Sequence, residues 1–312
     1  MSLTKTQRSY ELIRHAKEDL HYSFSVEEMC RITNVSRSGY YRWLKNKDKY
    51  LEREKKDRED FELILEAYNY KGYAKGARSI HMNLLNRKHI RMNVKKIRRL
   101  MKKFDLRCPI RKANPYKQMM RSIKTNSVAD NKLQREFKYH GPRAVLLTDI
   151  TYIPFHGKFL YLSVIKDAYT TEILSYKLSN TMQLDFVLET VKQLMKDHGT
   201  SLDSEAMIHS DQGAHYTSVK FRKLIQDEGL RQSMSRRGNC WDNAPQESFF
   251  GHMKCEIGGK LRRCVTFDDV QNLIDDWMDY YNHERYQWDL AKLSPCDYYN
   301  YITTGIYPLE GI

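Results

Sequence analysis

Residues 144–153, Ala-Val-Leu-Leu-Thr-Asp-Ile-Thr-Tyr-Ile, form an almost unbroken apolar and β-branched run with one carboxylate, Asp149, inside it. Such a run reads as a buried strand. Lys158 to Ile165 and Thr171 to Leu178 read as two more, joined by a short turn around Asp167 to Thr170. Downstream, Asp185 to His198 carries Phe186, Leu188, Val191 and Leu194 at helical spacing and is closed by Gly199. Ala206 to His209 then reads as a strand, Ser218 to Glu228 as a helix, Arg231 to Ser235 as a strand and Asn243 to Ile257 as a helix. The order β-β-β-α-β-α-β-α predicts a mixed sheet flanked by helices.

Three carboxylates hold special places on that layout. Asp149 lies within the first strand, Asp211 ends the fourth at the turn Ser210-Asp-Gln-Gly213, and Glu247 is in the first turns of the helix begun by Asp242-Asn-Ala-Pro245. A carboxylate inside a buried strand costs roughly several kcal/mol of desolvation unless something compensates it. A hard divalent cation is the natural compensation. Mg²⁺ or Mn²⁺ is held by carboxylates, waters and substrate phosphates, and two such ions about 3.5–4 Å apart stabilise both attacking and leaving oxygens of a phosphoryl displacement. Acids near strand ends also cap helices or pair with arginine, and placement alone leaves that alternative open. His209 and His215 flank Asp211, but no third soft ligand has helpful spacing, so both read as turn residues and zinc is rejected.

Around this half the chain is basic. Its 312 residues carry 53 Lys plus Arg against 39 Asp plus Glu, a net charge of +14, which favours a polyanion, nucleic acid or an acidic membrane surface. Fifteen basic residues and one acid, Asp105, fall between Asn86 and Lys124, so this window equals the whole excess. A single-sign block beside helix signals fits phosphate neutralisation better than a solvated face, which would mix signs. Asn93 caps a helix in which Val94, Ile97, Leu100 and Met101 face inward. Lys95, Lys96, Arg98, Arg99, Lys102 and Lys103 face outward as DNA-binding candidates. Further upstream, Val26, Met29, Cys30 and Ile32 have helical spacing, Asn34-Val35-Ser36 breaks it, and Ser36 can cap a second helix. In helix-turn-helix grammar that second helix enters the major groove, with Arg37, Ser38 and Arg42 toward DNA and Tyr40 or Trp43 inward. An ordinary helical hairpin remains open on this segment alone.

The longest strongly apolar stretch, Phe159 to Ile165, is far short of a membrane span, and six scattered cysteines form no C-x-x-C pair. A soluble, unexported chain with reduced thiols and no membrane partner is expected.

The spacing D-x61-D-x35-E, with Leu147-Thr-Asp-Ile-Thr-Tyr-Ile153 around the first acid, resembles the DDE transposases and retroviral-type integrases. It is similar most of all to the second-frame product of the IS-three family of insertion-sequence transposases. His209-Ser-Asp-Gln-Gly-Ala-His-Tyr-Thr-Ser218 and Ser235-Arg-Arg-Gly-Asn-Cys-Trp-Asp-Asn-Ala-Pro-Gln-Glu-Ser-Phe-Phe250 resemble that family's second and third blocks. Lys254, Tyr281-Asn-His-Glu-Arg285, Leu293-Ser-Pro295 and Ser36-Arg-Ser-Gly-Tyr-Tyr-Arg-Trp43 match further segments, so the likeness covers nearly the whole chain.

The resemblance implies N-terminal all-α helix-turn-helix modules followed by an α/β RNase H-like catalytic domain with a mixed sheet. The expected division is a helix-turn-helix module over 1–48, a charged helical linker over 49–70, a second basic module over 71–112 and a linker over 113–138. The catalytic core follows over 139–260 and a helical extension over 261–312. Asp149, Asp211 and Glu247 are expected to bind two Mg²⁺ ions, with Mn²⁺ substituting, and Lys254 to contact a phosphate. Asn239, Trp241 and Asn243 precede the glutamate helix, where backbone amides favour phosphate. Water, then a 3′-hydroxyl of a DNA end, is the implied nucleophile, with no covalent protein–DNA intermediate and a circular product of end joining. Terminal inverted repeats, target DNA, further copies of the chain on paired ends and an upstream-frame protein are the implied partners, in a bacterial cytoplasm at the nucleoid. A non-catalytic DNA-binding regulator is the alternative, and a nuclease acting on hybrids a third.

Overall fold

The computed structural model describes residues 5–19, 21, 23–109, 140–234 and 244–311. The expected linker over 113–138 lies outside the described residues. The chain forms two compact units, Met1–Leu65 and Glu66–Ile312.

The first unit is helical: α1 Lys5–Arg14, α2 Val26–Ile32, α3 Arg37–Lys45 and the start of α4 Lys47–Asn69. Local chemistry sets these ends. Ser25 and Glu28 form a reciprocal capping box, the Ser25 side chain accepting from the Glu28 amide and the Glu28 carboxylate from the Ser25 amide. Ser36 caps α3 by accepting from the Gly39 amide. Tyr10, Ile13, Met29, Cys30, Tyr40 and Trp43 close the core. Both Tyr40 and Trp43 therefore turn inward, where the sequence offered one or the other. Gly39 is required by close approach, since a Cβ there would collide with the Tyr10 hydroxyl and the Ser36 Oγ. Arg37, Ser38 and Arg42 are exposed, and Arg37 pairs with Glu27 at 3.4 Å. The charged stretch expected as a linker is part of α4, one unbroken helix of 23 residues.

The second unit opens with α5 Ala77–Lys88 and α6 Val94–Lys103. Asn93 caps α6 by accepting from the Lys95 amide at 2.8 Å. Ile97, Leu100 and Met101 are buried, while Lys95, Arg98, Arg99, Lys102 and Lys103 are exposed. Lys96 is only half-exposed, a correction to its expected outward place. Helix α5 is buried from Ile80 through Leu85 rather than along one stripe. Its second side is covered by distant chain: Leu85 packs with Leu293 and Leu309, and the Asn86 side chain donates to the Lys292 carbonyl at 2.9 Å.

Five strands follow, β1 Val145–Phe155, β2 Lys158–Asp167, β3 Ile173–Ser179, β4 Met207–Ser210 and β5 Arg231–Met234, in the order β3-β2-β1-β4-β5. β1 to β3 form an antiparallel meander, and β4 and β5 run parallel to β1. The β1–β2 hairpin turns on His156 and Gly157, both at positive φ (44° and 75°), as a two-residue turn between right-twisted strands demands.

Helices cover both faces, α7 Asp185–His198, α8 Ala214–Thr217 and α9 Val219–Asp227 on one side, α10 Ala244–Leu261 and α11 Phe267–His283 on the other, before α12 Pro295–Thr304. The first layer buries Leu146, Ile165 and Leu174 against Phe186, Val191, Leu194 and Phe221. The second buries Ile153, Leu160, Leu162 and Val164 against Phe249, Met253, Ile257 and Trp277. Helix α11, expected within a C-terminal extension, thus contributes Val270, Ile274 and Trp277 to the main core.

Candidate active site

The sheet register places two of the three acids just beyond the same end of one parallel ladder. In the parallel pair, Leu147 lies opposite His209, a separation of 62 residues, and Asp149 and Asp211 are separated by the same 62. The paired ladder ends there: Asp149 lies two residues further along β1, and Asp211 stands two residues beyond His209, one past the end of β4. Asp211 leaves the strand in a tight turn, its Oδ1 accepting from the Gly213 amide at 2.8 Å. A Cβ at Gly213 would stand 2.8 Å from that oxygen, so the turn needs glycine. Asp149 is half-buried rather than fully buried, and its Oδ1 accepts from the Ile150 amide at 2.8 Å. The desolvation cost expected of a wholly buried carboxylate is reduced accordingly.

Glu247 is exposed in the first turn of α10. Two neighbours attach that turn to the sheet. The fully buried Gln246 donates to the Val164 carbonyl at 3.4 Å, and Val164 is the cross-strand partner of Asp149. Lys166, 2% exposed, donates to the Pro245 carbonyl at 2.8 Å, its ammonium 5.5 Å from the Phe249 ring centroid. The glutamate helix therefore begins over the strand pair that carries Asp149.

Electrostatics tie the same groups together. The buried Tyr216 hydroxyl is held well above the usual phenol range by desolvation, and the charges of Asp149 and Asp211 both push it further up. It lies 3.5 Å from Thr148 Oγ1. Desolvation lowers the Lys254 ammonium, and the Asp149 carboxylate opposes that shift. Lys254 thus stands within electrostatic reach of the first acid, two turns beyond Glu247. Desolvation likewise depresses Lys166 to about 7 against the opposing charge of Asp167.

Asp149, Asp211 and Glu247 offer oxygen donors only, the set that suits Mg²⁺ or Mn²⁺ and not a softer ion. Among the described residues, no group of three or more His, Cys, Asp or Glu stands close enough together to hold a metal ion. His209 Nδ1 is 3.0 Å from Ser233 Oγ, and His215 Nε2 is 2.9 Å from the Met182 carbonyl. Asn239, Trp241 and Asn243 lie outside the described residues. Sequence reasoning passed over Gln246, Lys166 and Tyr216. A lysine in the apolar run Leu160-Tyr-Leu-Ser-Val-Ile-Lys166 was the available signal for one of them; the other two carry none.

Residues 139–240 and 228–295 match the family descriptions "Integrase core domain", and residues 54–114 match "HTH-like domain". The putative transposase InsK for insertion sequence element IS150 of Escherichia coli K12 is 31% identical, over 90% of this chain and 96% of its own length. The insertion element IS600 31 kDa protein of Shigella sonnei is 32% identical over 86% and 96%. Among solved structures, the catalytic core domain of BIV integrase aligns with TM-score 0.42 and 14% identity, over 52% of this chain and 97% of that one. With its mixed five-stranded sheet and HTH-like segment, the chain belongs to the IS-three family of insertion-sequence transposases, enzymes with an integrase-type RNase H-like core.

Proposed function

We propose that this transposase cuts a DNA strand at an insertion-sequence end and joins the freed 3′-hydroxyl to a second phosphodiester, with Asp149, Asp211 and Glu247 holding two Mg²⁺ ions, or Mn²⁺ in their place. What supports this reading is that Asp149 and Asp211 each lie two residues beyond the Leu147–His209 pair, joined to the anchoring of the Glu247 helix on Val164, the partner of Asp149. When bound, the ions lower the barrier to attack and to departure of the leaving 3′-oxygen. The chain's own residues do the placing. Lys254 meets a non-bridging phosphate oxygen beside Asp149, the turn at Gly213 fixes the Asp211 carboxylate, and Tyr216 keeps both strand acids over a dry floor.

Lys95, Lys96, Arg98, Arg99, Lys102 and Lys103 on α6 neutralise DNA phosphates, and Arg37, Ser38 and Arg42 on α3 face the inverted repeat. Joining requires two DNA ends to be held at once, so the working form is a multimer on paired ends. The test is a labelled duplex carrying the element's end, incubated with Mg²⁺ or EDTA, comparing wild type with Asp149→Asn, Asp211→Asn and Glu247→Gln. Metal-dependent nicking or joining, lost in each variant while DNA binding persists, is the expected result. Wild-type binding with no strand chemistry in Mg²⁺ would overturn it.

A further inference from the structure

A cavity of about 690 Å³ lies between the β1–β2 hairpin and the C-terminal half of α10. Ile153 and Ile257 form a buried base, while Phe155 and Leu261 pack on the edge of the same core and, being only half-buried, keep part of their apolar surface at the opening. The His156 ring nitrogen, 3.2 Å from the Cys264 carbonyl, closes the far end by tying the hairpin tip to the residues after α10. Lys254 and Arg262 stand exposed at the rim, and the lining holds no acid.

Gly258 and Gly259 also line this cavity, in the last turn of α10. Neither has the positive φ that would require glycine, and a Cβ on either would meet nothing within 4 Å.

The occupant is indicated by charge and by place. β1 presents Asp149, Ile153 and Phe155 on one face, because alternate residues of a strand share a side. Helix α10 runs from Glu247 to Lys254 and on to Leu261, so both elements that carry an acid also line the cavity. From Asp149 to Phe155 is six strand residues, about 20 Å, which is about six steps of a B-form strand at 3.4 Å each.

We propose that this cavity is a nucleotide subsite: it receives one unstacked base of the DNA strand being processed, about six nucleotides from the reacting phosphate, with Arg262 on a flanking phosphate. The base lies against Phe155 and Leu261. This rests on the strand-transfer reading for its position along the DNA, and it adds a base-holding site separate from the acids.

The full chain would be mixed with a 30-base-pair duplex whose last eight nucleotides at one 3′ end are unpaired, carrying 2-aminopurine at successive positions. In wild type the aminopurine emission should change most near the sixth nucleotide. Gly258→Leu and Gly259→Leu fill the cavity while favouring the helix, so they should melt at or above the wild-type temperature. They should lose the positional response and bind the frayed duplex between about fivefold and 150-fold more weakly, the range for one stacked base. Variants that melt like wild type yet keep response and affinity overturn the proposal, as does a wild type with no positional response. Loss of self-association in the variants with the response retained makes the cavity a contact between copies and also overturns it. Joining in Mg²⁺ is scored on the same complexes: a wild type that shows the response but never joins supports the subsite and counts against strand transfer alone.

Discussion

Lys166→Met should remove a pH dependence of stability that the wild-type protein carries. Lys166 is 2% exposed, and desolvation brings its ammonium from 10.5 to about 7. A lysine depressed on folding behaves oppositely to one that gains a carboxylate partner. Between pH 7 and 10.5 the unfolded chain binds the proton that the folded chain has released, so stability rises with pH across that window and is flat below it. For these two values the gain from pH 6 to pH 9 is about 3 kcal/mol. Methionine preserves the apolar stem beside Phe249 but cannot titrate. It also loses the bond to the Pro245 carbonyl, a pH-independent cost of about 1 kcal/mol. Urea unfolding of both proteins at pH 6, 7, 8 and 9 gives the difference directly. Wild type should gain on the variant by about 3 kcal/mol over that range; curves that stay parallel would refute the burial of the charged form as the cause.

Three further outcomes can be measured. Arg143→Met leaves the buried Glu172 carboxylate without the guanidinium 2.9 Å away and should destabilise the second unit by about 3–5 kcal/mol, read as a lower urea midpoint. Gly39→Ala drives a methyl group into the Tyr10 hydroxyl and should cost about 1–3 kcal/mol, seen as faster amide exchange along α2 and α3; unchanged exchange would refute the close approach. Replacing Lys95, Arg98, Arg99 and Lys102 together by alanine should flatten the plot of log affinity against log salt by about one unit for each phosphate that is no longer neutralised, and an unchanged slope would remove α6 from the DNA interface.

Much of the second unit was legible because its periods are strong. The three meander strands, the helix from Asp185 and the strand before Asp211 fall within a residue or two of the expected positions, since apolar alternation and the Ser and Gly signals act locally. The cap residues Ser36 and Asn93 were legible for the same reason. The all-round burial of α5 was not, because the segment covering it, around Leu293 and Leu309, lies some 200 residues away in the chain. Nor was the attachment of Glu247: Gln246 and Lys166 each reach a backbone carbonyl on another element, and no local pattern encodes a bond of that kind. Lys96 was placed outward by helical phase alone, which is blind to what else packs beside the helix.

The parallel ladder between β1 and β4 separates two quantities that a linear text merges. The count of residues between Asp149 and Asp211 is a property of the intervening strands, helix and loops, whereas their equal offset from the end of a ladder belongs to the pairing of Leu147 with His209. Extra residues placed in the surface stretch around 199–205 would change the count and leave the carboxylates where they are. One residue added inside β4 would keep almost the same count and turn Asp211 to the opposite side of the sheet. Chains built on this plan are thus better sought by the two short strand texts around the acids than by the distance between them, and grafting a new segment into that loop is the least disruptive way to lengthen the enzyme.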